Sequence, residues 1–138
     1  MGGFSTPTLS YAAVALGAAV GGAMRWFASE LVHGSLGPGF PWGTLFVNVT
    51  GSFAIGCYAA LAGPGGRLRA SPRQRLFVMT GICGGYTTFS AFSLETLGLL
   101  QAGWIGLASL NAGASVTAWL VAVWAGYALA MRFNRTGA

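Results

Sequence analysis

Charge is scarce in this 138-residue chain. Acidic and basic residues make up 7% of it and 54% is hydrophobic, whereas soluble domains carry about 25% charged residues. That balance excludes an ordinary soluble domain and predicts a membrane protein of one domain. Lysine is absent, all seven basic residues are arginine, and the only acids are Glu30 and Glu95. The arginines are not interleaved with aromatics on a polar face. They gather at the ends of apolar runs, where basic residues set membrane orientation, so the net charge of +5 does not point to nucleic acid. Histidine occurs once, as His33, in a Gly/Pro-rich stretch read as a loop. Cys57 and Cys83 lie inside apolar runs, without the spacing of a metal site, and are read as small packed hydrophobes. No placed nucleophile–base pair is evident, which speaks against an enzyme. The sequons at Asn48 and Asn134 fall in an apolar run and a basic tail and are read as unglycosylated. The stretch before Arg25 lacks a basic n-region and is long enough to span, so no cleaved signal peptide is expected.

A hydrocarbon core about 30 Å thick needs roughly 20 apolar residues per helix. Four runs qualify: 9–28, 43–62, 76–100 and 105–131. All five prolines fall outside them, as they should, because proline in a helix interior costs about 3 kcal/mol. The joint "QAGW" between the last two runs predicts a tight hairpin. Four spans put both termini and the second-to-third loop on one side, together with Arg67, Arg69, Arg73, Arg75, Arg132 and Arg135. The expected orientation is therefore termini-in, in the cell membrane as a multi-pass protein. Gly17 with Gly21, and Ser52 with Gly56, have the small-xxx-small spacing of close helix contacts. They serve either a dimer interface or packing within the chain. Four short helices can hardly enclose a polar path alone, so an oligomer is expected.

What is present inside the spans is polar. Thr44, Asn48 and Ser52 recur every four residues and share one helical face. Asn48 is either one half of an interhelical hydrogen bond or one rung of a ladder of neutral donors. Asn111 and Ser115 make a second such set, with Thr117 nearby and Trp119 closing the stripe. Glu95 is the only carboxylate well inside a span, a functional hypothesis by default. In "CGGYTTFSAFS", residues 83–93, Gly84 and Gly85 weaken the helix and predict a break at membrane depth. Such a break is tolerated only where protein or a cavity surrounds it. Freed carbonyls in broken membrane helices commonly hold Na⁺. Phe89 and Phe92 stand three apart on the resumed helix, with positive ring edges suited to a small anion.

"GTLFVNVTGSF" in the second span and "GGYTTFSAFSLE" in the third resemble the signatures of the Fluc (CrcB-type) fluoride channels, and "GGAMRW" in the first is similar. The resemblance implies a passive fluoride channel built as an antiparallel, dual-topology dimer with two pores, a homodimer or a heterodimer with a homologous subunit of opposite orientation. It assigns Phe89, Phe92 and Asn48 to the pore, and Thr44, Ser115 and Glu95 to a polar track. It also implies that Arg25 lies near a pore entrance and that the carbonyls of Gly84 and Thr87 hold a central structural Na⁺. Asn111 and Trp119 depart from the family pattern, where a tyrosine and a small hydroxyl can stand. The competing readings are a small proton-coupled multidrug antiporter, whose mid-membrane carboxylate in the first span is missing, and a non-conducting assembly subunit.

Overall fold

The computed structural model describes residues 6–135, and these are helical apart from short turns. Helix α1 runs Thr6–Leu36, α2 Trp42–Leu61 and α3 Pro72–Arg75. A π-helical segment, Leu76–Cys83, leads into a single turn, α4, at Gly84–Tyr86. After an extended step come α5, Ser90–Gln101, and α6, Ile105–Arg135. Among the described residues, three helices are long and apolar enough to cross a membrane, with mean hydropathies of 1.3, 1.5 and 1.5. The fourth apolar run is the one from Pro72 to Gln101, cut into pieces too short to count singly. Four spanning elements, one of them bent and broken, therefore fit the predicted four.

The ends follow from local chemistry. His33 is not in a loop: it lies in the last turn of α1, which runs on to Leu36. The helix stops where Gly37 adopts φ +80° and its N–H reaches the His33 carbonyl at 2.9 Å. A left-handed C-terminal residue is most readily glycine. Ser71 and Gln74 form a reciprocal capping box on α3, with Pro72 at its first position, where proline has no N–H to lose. The α5–α6 hairpin turns on Gly103 at φ +79°, with Trp104 N–H bonded to the Leu99 carbonyl at 2.9 Å.

Packing depends on bare backbone. A Cβ added at Gly21 would collide with the Ile82 carbonyl, and one at Gly17 would lie 2.8 Å from the Gly81 Cα. Across the bundle, Gly56 abuts the Val123 carbonyl and Gly126 abuts that of Phe53. The glycines of the small-xxx-small pairs thus join α1 to the π segment and α2 to α6 within one chain. Of the two readings left open for this spacing, packing within the chain is the one observed at Gly17, Gly21 and Gly56. Ser52 is different and faces an open cleft.

Asn134, near the end of α6, donates to the Ala60 carbonyl at 2.9 Å and accepts from Arg67 N–H at 3.3 Å. The end of α6 and the second-to-third loop therefore meet at one end of the bundle, and six of the seven arginines collect there. Asn134 is thus engaged with protein; Thr136, the third residue of its sequon, lies outside the described residues. The opposite end carries exposed Trp26, Trp42 and Trp104, a distribution suited to a membrane interface.

Leucine at Gly56 should prevent folding, because overpacking costs about 1–3 kcal/mol even where side chains can adjust and here the obstacle is main chain. Gly113→Leu should be tolerated, since a Cβ there meets nothing within 4 Å. Size-exclusion profiles of the two variants in detergent give the comparison.

Candidate functional site

The expected break exists but sits three residues beyond Gly84. Helical geometry persists through Tyr86, and Thr87 is extended at φ −86°, ψ 161°. The glycines do not unwind the chain. Gly85 is needed because a Cβ there would strike the Ala18 backbone of α1, while a Cβ at Gly84 would make only an ordinary contact with the Met79 carbonyl at 3.9 Å. Upstream, the π winding over Leu76–Cys83 is a second departure that the apolar sequence "LFVMTGIC" did not signal. Such widened turns often accompany functional sites.

Asn48 holds the break. Its Nδ2 donates to the Thr88 carbonyl at 2.7 Å, and its Oδ1 accepts from Thr88 N–H at 2.7 Å. One side-chain amide thereby satisfies both polar groups of a residue that has left the helix. Such groups would each cost about 1–3 kcal/mol if buried unpaired. Helix α2 comes close enough because residue 51 is glycine: a Cβ there would clash with Thr87 Cγ2. The Thr50 and Tyr86 hydroxyls, 3.0 Å apart, add a second tie. Asn48 is 4% exposed, and its second N–H makes no bond among the described residues.

Beyond the break, Thr88 Oγ1 accepts from Ala91 N–H at 3.1 Å and so starts α5. The Phe89 and Phe92 rings touch, with centroids 5.6 Å apart and planes at 46°. They do not share one environment, however: Phe89 is 71% exposed and Phe92 7%. Phe92 meets Trp119 edge-on at 4.9 Å. Below it runs a buried chain of polar groups. Ser115 donates to Asn111 Oδ1 at 3.1 Å, and Asn111 donates to Thr96 Oγ1 at 2.9 Å. Thr96 in turn donates to the Phe92 carbonyl at 2.7 Å. Beside this chain Thr44 donates to Glu95 Oε1 at 2.7 Å, while Glu95 Oε2 is buried with no partner.

The predicted residues Thr44, Asn48, Phe92, Glu95 and Ser115 thus come together between α2, α5 and α6, with Phe89 at the rim. Arg25 stands apart on α1, half-buried, and no hydrogen bond joins it to this cluster. Thr117 also stands apart, exposed and bonded to the Gly113 carbonyl of its own helix. Sequence reasoning missed Thr96 and the anchoring role of Thr88. Thr96 was discoverable as the residue four after Phe92, on the same face of α5.

An open cleft of about 380 Å³ borders the break, lined by Asn48, Ser52, Gly84, Thr87, Phe89 and Trp119 among others. Among the described residues, no hydrogen bond reaches the carbonyl oxygens of Gly84 or Thr87. Two free carbonyls on an open face are oxygen ligands of the kind a hard cation such as Na⁺ takes. One chain offers too few oxygens by itself.

The family model for CrcB-like proteins, described as camphor resistance (CrcB), matches residues 12–127. The chain is 60% identical over 125 residues to the fluoride-specific ion channel FluC 1 of Rhodopseudomonas palustris strain BisB18, covering 91% of this chain and 89% of that one. It is 53% identical over 125 residues to FluC 1 of Bradyrhizobium diazoefficiens, with 91% and 87% covered. To the fluoride-specific ion channel FluC of Rhodospirillum rubrum it is 46% identical over 126 residues, with 91% and 98% covered.

Replacing Asn48 by leucine should lower the thermal midpoint in detergent by several degrees, because two Thr88 backbone groups lose their partners at once. Thr117→Val should leave that midpoint unchanged. A melt of Asn48→Leu superimposable on wild type would remove the amide from its role at the break.

Proposed function

Because the chain belongs to the CrcB family, we infer that it is a fluoride-specific ion channel, a passive multi-pass route in the cell membrane that exports fluoride and lowers its toxicity. The observation that carries this reading is the convergence of neutral donors and aromatic rings on one buried cluster beside a helix break. Fluoride is strongly hydrated, so a narrow path must replace its water with many donors. Asn48 offers such a group in its second N–H; Ser115 and Thr44 do so by exchanging their protein acceptors for the ion. None of them carries a fixed positive charge, and the Phe89 and Phe92 rings add positive edges. Binding of that kind is favourable enough to admit an ion and weak enough to release it. No lysine exists in the chain and no arginine lies beside the cluster. Arg25 acts at a pore entrance, where a cation gathers anions from solution.

One chain does not enclose this path. Phe89 and the free Gly84 and Thr87 carbonyls lie on an open face that none of the described residues covers. A second copy in the opposite orientation closes it, giving an antiparallel, dual-topology dimer with two pores. The Gly84 and Thr87 carbonyls of both copies would hold a Na⁺, whose positive charge would offset part of the anion's burial cost. The arginine distribution bears on the partner. Six arginines at one end favour a single orientation, which suits a heterodimer with a homologous subunit of opposite bias; the alternative is a homodimer that overrides the bias. Active dimers from this chain expressed alone would favour the latter.

The antiporter reading has no support. Glu30 is the only acid on α1 and lies exposed near that helix's end, and the relatives are channels by name.

Fluoride efflux from proteoliposomes tests the reading, with chloride as the control anion. Wild type should release fluoride and retain chloride, and Phe89→Ile or Phe92→Ile should suppress the flux. Equal rates in wild type and both variants would take the rings out of the mechanism. Preparation without Na⁺ should lower the flux, whereas an undiminished rate would remove sodium from the assembly.

A further inference from the structure

Buried tryptophan N–H groups ordinarily find an acceptor, yet Nε1 of Trp119 is buried without one. We propose that the Trp119 indole N–H is a hydrogen-bond donor to the anion in transit, an inference that rests on the fluoride-channel reading above. The residue lies on α6 one turn beyond Ser115, its ring edge-on to Phe92 at 4.9 Å, and it lines the cleft shared with Asn48 and Phe89.

Counting donors around Phe92 gives this group its place. The hydroxyls of Thr44, Thr96 and Ser115 each already donate to a protein acceptor. One N–H of Asn111 is held by Thr96, and one of Asn48 by Thr88. An indole nitrogen carries a donor and no acceptor capacity, so only an acceptor can satisfy it, and no hydrogen bond joins it to the unpaired acceptor of the cluster, Glu95 Oε2. An incoming fluoride can satisfy it without first breaking any bond in the polar chain. Nε1 is closed to water in the structure, so an anion reaches it only when the indole turns against Phe92. Trp119 therefore combines a bulky closure with a donor and is a specificity-determining residue where a small hydroxyl would only donate.

The test uses the full-length dimer in lipid nanodiscs with ¹⁵N-labelled tryptophan. Five indole resonances are expected from five tryptophans, and the one missing in Trp119→Phe identifies residue 119. That resonance should move on addition of sodium fluoride and stay put with sodium chloride. In proteoliposomes Trp119→Phe, which keeps an aromatic ring against Phe92, should conduct fluoride about tenfold or more slowly, the loss expected for one hydrogen bond to an ion. A resonance insensitive to fluoride in a protein that conducts it would overturn the proposal. So would a Trp119→Phe rate equal to wild type, or an indole already hydrogen-bonded in fluoride-free dimer and unchanged thereafter, which would assign the acceptor to the partner subunit. Should Trp119→Phe fail to assemble, the wild-type titration decides, with the resonance assigned through Trp119→Tyr. Absence of fluoride flux in wild type would instead defeat the channel reading itself.

Discussion

The paired hydrogen bonds between the Asn48 amide and the Thr88 backbone are the constraint around which the site is arranged. A chain that leaves helical geometry at membrane depth exposes N–H and C=O groups that lipid cannot satisfy. Asn48 supplies both partners from a neighbouring helix, so the unwound residue behaves as though paired with a strand. The Thr87 and Gly84 carbonyls are thereby left free on the open face, and α5 restarts in a direction that buries Phe92 while leaving Phe89 at the rim. The same amide keeps a second N–H with no partner among the described residues.

That constraint works only because the helices stand at backbone distance. Gly51 admits the break, and Gly17, Gly21, Gly81 and Gly85 bring α1 against the π segment and α4. Without a hydrophobic driving force between helices in lipid, such contacts carry much of the association. Small residues thus fix positions first, and the polar groups then meet at hydrogen-bond distance.

Much of this was legible in the sequence. Apolar run length and proline placement marked the spans, with α1 and α6 running on at their C-terminal ends to Leu36 and Arg135. The four-residue spacing of Thr44 and Asn48, and of Asn111 and Ser115, placed residues that do converge. Three features were not legible. The break was expected at Gly84–Gly85, because glycine weakens helices, but Gly85 serves contact with Ala18 and the unwinding falls where Asn48 can reach. The π segment has no compositional mark, since "LFVMTGIC" suits any membrane helix. The pairing of Thr96 with Asn111 is set by the register of the α5–α6 hairpin, which the length of "QAGW" fixes only loosely. The unequal burial of Phe89 and Phe92 has the same origin, because sequence spacing gives a shared face and not what covers it.

The contact of Gly17 with Gly81 leaves the first and third spans no slack to slide past one another. A carrier must rock between two shapes for every ion it moves, and each cycle crosses a protein barrier. A frame wedged main chain to main chain cannot cycle in that manner, so throughput is governed by the ion's own hops and the side chains it brushes. Its rate should consequently climb only gently on warming, as diffusion through water does.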